Sequence, residues 1–155
     1  MNKKKNLLWL LSLLMIVSVS FTSCNKDDDD DVDLKTAIIG KWKSVSDVYY
    51  VDGVDDGDPD IYDENYYYLL EYKSDGTYTN TLFQNGGESK YSGGAGTWKI
   101  EGNKLICKDI RDDDEEETRV TINGNTLIET YEEDYIDDDD GKKHTQKIVC
   151  TYTKQ

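Results

Sequence analysis

In "WKIEGNKLIC", residues 98–107, two apolar stretches meet at Gly102-Asn103, and a chain that reverses over two residues is building an antiparallel hairpin. That turn sets Glu101 opposite Lys104, Ile100 opposite Leu105 and Trp98 opposite Cys107, so Trp98, Ile100, Leu105 and Cys107 share one buried face. "YLLEYKSDGTYTN" repeats the device with a three-residue loop, Ser74-Asp75-Gly76, in which Gly76 takes a positive φ and Tyr72 meets Tyr78. A two-residue Asp75-Gly76 turn would instead oppose Tyr72 and Thr79, so aromatic pairing favours the longer loop. In "VTINGNTL" an Asn123-Gly124 turn is expected to pair Val120 with Leu127.

Between such turns the chain reads as short strands near 41–51, 65–73, 77–83, 95–101, 104–110, 118–122, 126–132 and 143–153. Tyr, Thr, Val and Ile recur in them, as a pleated, half-buried surface requires. "DLKTAIIGKW" has room for one helical turn before Gly40, too short to stand alone. The expected fold is all-β: an eight-stranded antiparallel up-and-down meander that closes into a small barrel and so removes both sheet edges. A chain of 155 residues makes one such domain, and a monomer is expected.

Charge narrows the partners. There are 33 acidic residues against 18 basic ones, a formal net of -15, and a field of that sign repels phosphate backbones, which argues against nucleic acid. It also repels anionic membranes, so any membrane attachment has to be covalent.

Residues 1–23 read as an export signal: Lys3, Lys4 and Lys5, then an apolar run from Leu7 to Val19 broken only by Ser12 and Ser18. The run is shorter than the roughly 20 residues a spanning helix needs. "FTSC", ending at Cys24, resembles the lipobox of bacterial lipoproteins, although Phe21 stands where Leu is commonest. The resemblance implies a diacylglycerol or acyl (palmitate) anchor on Cys24, which becomes the mature N-terminus. Loss of residues 1–23 removes three lysines and no acid. Residues 24–35, beginning "CNKDDDDDVD", cannot bury apolar surface and repel one another, so an extended acidic tether is expected. Lysine and acids directly after the cysteine resemble the surface-export signal of Bacteroidota lipoproteins, which implies an outer-membrane protein facing outward.

"GKW" at Gly40–Trp42, "YKSDGTY", "GTWKIEGNKL" and a final "YTK" together resemble the lipocalin-like domain common in Bacteroidota lipoproteins, over residues 36–155. The resemblance implies a lipocalin-like barrel whose closed end is plugged by Trp42 at the start of the first strand. Lipocalins also lay a late arginine across that tryptophan; the arginines here, Arg111 and Arg119, are far from the last strand, and Lys154 is the substitute on offer. A barrel of eight strands either fills with side chains or holds one small ligand. Candidate lining residues are Tyr68, Leu70, Tyr72, Tyr78, Trp98, Ile100, Leu105 and Cys107, suited to a small apolar, lipophilic or amphipathic ligand or simply to a core.

A second reading starts from the 12 tyrosines, which cannot all point inward when strand residues alternate. Tyr49 and Tyr67 are expected outside, where tyrosines and acidic loops could form a surface module for glycan or protein, or serve as ordinary cross-strand pairs. Calcium is a weak reading of "DGVDDGDPD", "DDDEEE" and "DDDDG": aligned on Gly57 or Gly141, the loop pattern meets Val54 or Ile136 where oxygen is required. No metal and no cofactor is expected. Cys107 and Cys150 alternate with apolar neighbours and read as inward-facing free thiols on separated strands. The single histidine, His144, lies in "DGKKHTQ" and reads as a surface residue; no nucleophile with base and orienting partner is apparent, so no catalytic residue is assigned and an enzyme is not expected.

Overall fold

The computed structural model describes residues 30–111, 115–138 and 141–155. The export signal, Cys24 and the first part of the tether lie outside the described residues, as do residues 112–114 and 139–140 of the acidic runs.

One helix, α1 (Asp30–Ala37), precedes ten strands: β1 (Gly40–Val51), β2 (Val54–Asp55), β3 (Asp60–Ile61), β4 (Tyr66–Tyr72), β5 (Thr77–Gln84), β6 (Gly87–Glu101), β7 (Lys104–Asp109), β8 (Glu115–Asn123), β9 (Thr126–Ile136) and β10 (Lys143–Lys154). Consecutive long strands pair antiparallel from β4 to β10, β4 returns to β1, and β10 closes on β1, giving an eight-stranded barrel. The two-residue β2 and β3 are appended to β1.

Three of the bends that shape this barrel are turns at one end. Gly102 has φ 63° and the pairs are Glu101 with Lys104, Ile100 with Leu105 and Trp98 with Cys107, as the turn dictates. Tyr72 meets Tyr78, with Gly76 at φ 82°. The third hairpin differs from expectation: Asn123 pairs with Thr126 and Ile122 with Leu127, so the turn residues are Gly124 (φ 58°) and Asn125, and Val120 faces Glu129 rather than Leu127. Glycine leads this turn as it leads Gly102-Asn103. A slip of two residues changes partners but keeps each side chain on its own face, so Val120 and Leu127 are buried all the same.

The core fills that end. Trp42, Ile38 and Leu127 are fully buried, and Trp98, Leu105, Val120, Leu70 and Tyr72 pack with them. Helix α1 caps the opening: the Ile38 N–H continues the helical pattern to the Leu34 carbonyl at 3.0 Å, and Leu34 and Ile38 both meet the core. That burial carries the helix back to Asp30, inside the span expected to be an extended tether.

Two further differences matter. Strand β6 begins at Gly87 rather than near 95, because Asn85 and Gly86, both at positive φ (52° and 78°), turn the chain and pair Gln84 with Gly87. In β1 the pairing with β10 slips between Ser44 and Ser46, and Val45 is left over and exposed. This bulge reverses the alternation. Trp42 and Ser44 point inward below it, opposite Lys154 and Tyr152; above it Asp47 and Tyr49 are the inward residues, opposite Cys150 and Ile148. Tyr49 therefore stands on the lumen side, not outside. Tyr67 is outside, stacked at 5.0 Å on its cross-strand partner Phe83 with the Lys43 ammonium 4.1 Å from the ring.

Candidate functional site

At the other end three of the four connections are longer, and they carry acids: Asp52 to Asp60 between β1 and β4, Glu115 to Glu117 opening β8, and Asp137 and Asp138 after β9. The exposed aliphatic residues Val54, Ile61, Ile110 and Ile136 are at the same end. The mouth is thus apolar and acidic together.

Below it lies a cavity of about 400 Å³ inside the barrel. Leu70, Tyr72, Tyr78 and Cys107, four of the eight residues expected to line it, do so. Tyr68 lines an adjoining cavity of about 520 Å³ nearer the rim, with Asp47, Tyr49, Tyr62 and Tyr66; Asn80 and Tyr152 border both. Trp98, Ile100 and Leu105 belong to the closed end: Trp98 and Leu105 are buried there, and Ile100 packs against them.

Glycine makes the room. Residues 94 and 96 face the lumen on β6, opposite Asn80 and Tyr78. A methyl group at Gly96 would stand 1.9 Å from the Lys108 carbonyl oxygen and 2.9 Å from the Tyr78 ring. At Gly94 it would meet nothing nearer than an Asp109 oxygen at 3.3 Å.

The site's most unusual member was missed from sequence. Glu129 is 1% exposed, and its carboxylate accepts the Tyr72 hydroxyl at 2.8 Å and the Tyr131 hydroxyl at 3.1 Å. Burial pushes its carboxyl up to about 7, and the two hydroxyls only partly offset that. Glu116, cross-strand from Cys107, is also raised by desolvation and then by the charge of Glu133. The Cys107 thiol is pushed up to about 12, first by burial and then by the charges of Glu129 and Glu116, so it is a poor nucleophile. Cys107 and Cys150 are both free. A signal for Glu129 exists in "TLIETYEED": Leu127 and Tyr131 are inward positions on β9, and residue 129 has the same parity.

A model of the Lipocalin-like domain matches residues 38–129. The chain belongs to the lipocalin-like domain family. No curated protein and no solved structure matches it.

In this lipocalin-like barrel the closed end is built around Trp42, whose indole N–H donates to the Ile38 carbonyl at 2.7 Å. Lys154 lies across the ring, its ammonium 5.0 Å from the centroid, and donates to the Ala37 carbonyl at 3.2 Å. One cation therefore covers the tryptophan and ties the end of α1 to the last strand.

The mouth of the lipocalin-like domain is stitched by polar side chains. Tyr62 donates to Asp47 at 2.6 Å and Tyr49 to Asp60 at 3.0 Å, while Tyr62, Tyr66 and Tyr68 pack ring on ring at 5.8–6.2 Å. These tyrosines contact one another and the lumen, and do not form an outward row. His144 is half-buried rather than a free surface residue: its Nδ1 lies 2.7 Å from Asp52, tying the start of β10 to the turn after β1. Arg111 grips Asp109 with two guanidinium nitrogens at 2.9 and 2.7 Å, which lowers the Asp109 carboxyl well below the usual range. Among the described residues no cluster of His, Cys, Asp and Glu is arranged to hold a metal ion.

Proposed function

We propose that this chain is an exported lipoprotein, anchored through an acyl-modified Cys24 to the outer membrane and facing the cell exterior, whose lipocalin-like barrel binds one small amphipathic molecule in its lumen. The observation that carries the ligand reading is the cavity of about 400 Å³ above a solid core and below an open mouth. Aliphatic side chains at the rim suit the apolar part of such a ligand, and the buried polar groups suit its head. Among the described residues of the lumen none pairs a nucleophile with an activating base, and the buried Cys107 thiol stays protonated at neutral pH, so binding rather than catalysis is the reading.

The full chain purified from cells, extracted with organic solvent and analysed by mass spectrometry, is expected to release one small molecule per protein. Recovery of nothing, together with an experimental structure whose interior is solid, would remove the ligand reading.

The anchor rests on the apolar run, "FTSC" and the acids that follow. Cys24→Ala is expected to abolish metabolic palmitate labelling, and replacing Lys26–Asp31 with alanine to protect the protein from protease added to intact cells. Persistent labelling refutes the anchor, and unchanged protease access refutes the export signal.

A further inference from the structure

We infer that the lumen selects an organic cation: a molecule with an ammonium head seated on Glu129 and an apolar or aromatic body directed toward the mouth. The inference rests on the lumen being the ligand site and adds the chemical class.

The argument is a balance of donors and acceptors. Glu129 is 1% exposed, and its two oxygens each accept one tyrosine hydroxyl. A carboxylate has about four lone-pair positions, so each oxygen can take one donor more. Two residues that line the cavities, Asp47 and Asn80, each keep a buried Oδ1 with no hydrogen-bond partner. Buried acceptors without donors are costly, and a ligand that supplies N–H groups removes the cost.

Charge points the same way. Glu116 and Glu129 face the lumen, Asp47 the adjoining cavity, and the guanidinium bordering it is committed to Asp109 through two hydrogen bonds. A fatty-acid carboxylate entering here would meet like charge and, among the described residues lining the lumen, no uncommitted cation. An ammonium meets carboxylate in a site screened from water, where the attraction is strongest. Tyr72, Tyr78, Tyr131 and Tyr152 supply rings for the ligand body. Acidic residues at the mouth steer cations inward.

The test uses four probes: phenethylamine, phenylacetate, 2-phenylethanol and methyl β-glucoside, the first three alike in size and ring and different in head group. Calorimetric titration of the full chain in detergent, at pH 8 and 0.15 M salt, is expected to show one phenethylamine per protein, bound at least tenfold more tightly than the other three. Glu129→Gln should weaken phenethylamine at least tenfold while retaining the β-sheet circular dichroism. Glu88→Gln, an exposed change of equal charge, should leave the affinity within twofold. Equal or tighter binding of the acid, the alcohol or the sugar overturns the inference, as does unchanged affinity in Glu129→Gln or no binding of phenethylamine. A neutral or anionic molecule extracted from the lumen overturns the cation and leaves the ligand reading standing; an empty extract and a solid interior remove both.

Discussion

At pH 8 the Glu129→Gln protein is expected to unfold roughly 10 °C above the parent chain, and at pH 4.5 at the same temperature as the parent. Glu129 is fully buried and its carboxyl is pushed from 4.5 to about 7, chiefly by desolvation. In the unfolded chain the group ionises near its ordinary value, whereas in the folded barrel it stays protonated until pH 7. From pH 4.5 to 7 the folded state thus holds the extra proton, and stability falls as pH rises by about 1.4 kcal/mol per unit. The loss is complete above pH 7 and amounts to about 3 kcal/mol. Glutamine never ionises, keeps an oxygen for the Tyr72 hydroxyl and offers an amide to Tyr131, so it escapes the loss. For a domain of this size 3 kcal/mol corresponds to a shift of roughly 10 °C. The groups around Glu129, namely Tyr72, Tyr131, Tyr152, Glu116, Cys107, Asp47 and Cys150, are common to both proteins, so the difference between the two pH profiles isolates residue 129. Thermal melts from pH 4 to 9 decide it: parallel profiles, or a variant less stable at pH 8, would contradict the assignment.

A natural chain that accepts this cost is keeping an ionisable group where a neutral amide would serve the same two tyrosine hydroxyls without it. Apolar side chains flank it: Leu127 below is fully buried, and the cross-strand neighbours of Glu129 are Val120 and Cys150. A site for an ordering ligand is one reason to keep a carboxylate there, and ligand binding would return the lost stability by mass action.

What the sequence reveals of this barrel is what turns and alternation encode. Gly76, Gly102 and Gly124 sit where the backbone needs positive φ, so the hairpins around them follow from local chemistry. Two hairpin registers were legible to the residue and the third to within two, because a two-residue slip leaves the faces unchanged and alternation cannot detect it. The bulge at Val45 is invisible in "KWKSVSDVYYV": it is fixed by pairing with β10, more than a hundred residues away, and it alone decides that Tyr49 rather than Tyr50 faces inward. The candidate site suffered from a related limit. Apolar and aromatic residues identified the lumen's floor and part of its wall, whereas Glu129, Asn80 and Asp47 looked like ordinary members of an acidic, polar chain. Their burial is a property of eight strands closing on each other, and no local stretch contains it.

Gly96→Ala is expected to destabilise the domain by about 3 kcal/mol or more, enough to leave much of it unfolded, whereas Gly94→Ala should cost less than about 1 kcal/mol. The two glycines are neighbours on one face of β6, so burial and strand propensity predict similar outcomes for both. Space separates them. At Gly96 the added methyl would sit 1.9 Å from the Lys108 carbonyl oxygen, and a backbone oxygen held in the β6–β7 ladder cannot turn aside as a side chain can. Relief requires the strands to part near the Trp98–Cys107 pair, where the closed-end core begins. At Gly94 the nearest atom is a carboxylate oxygen of Asp109 at 3.3 Å, a contact relieved by a shift of a few tenths of an ångström in a side chain that can carry its Arg111 partner with it. Urea denaturation of the two variants measures the contrast. Similar midpoints for both would mean that β6 and β7 do not approach as closely as described, and the narrow wall that shapes the lumen would have to be redrawn.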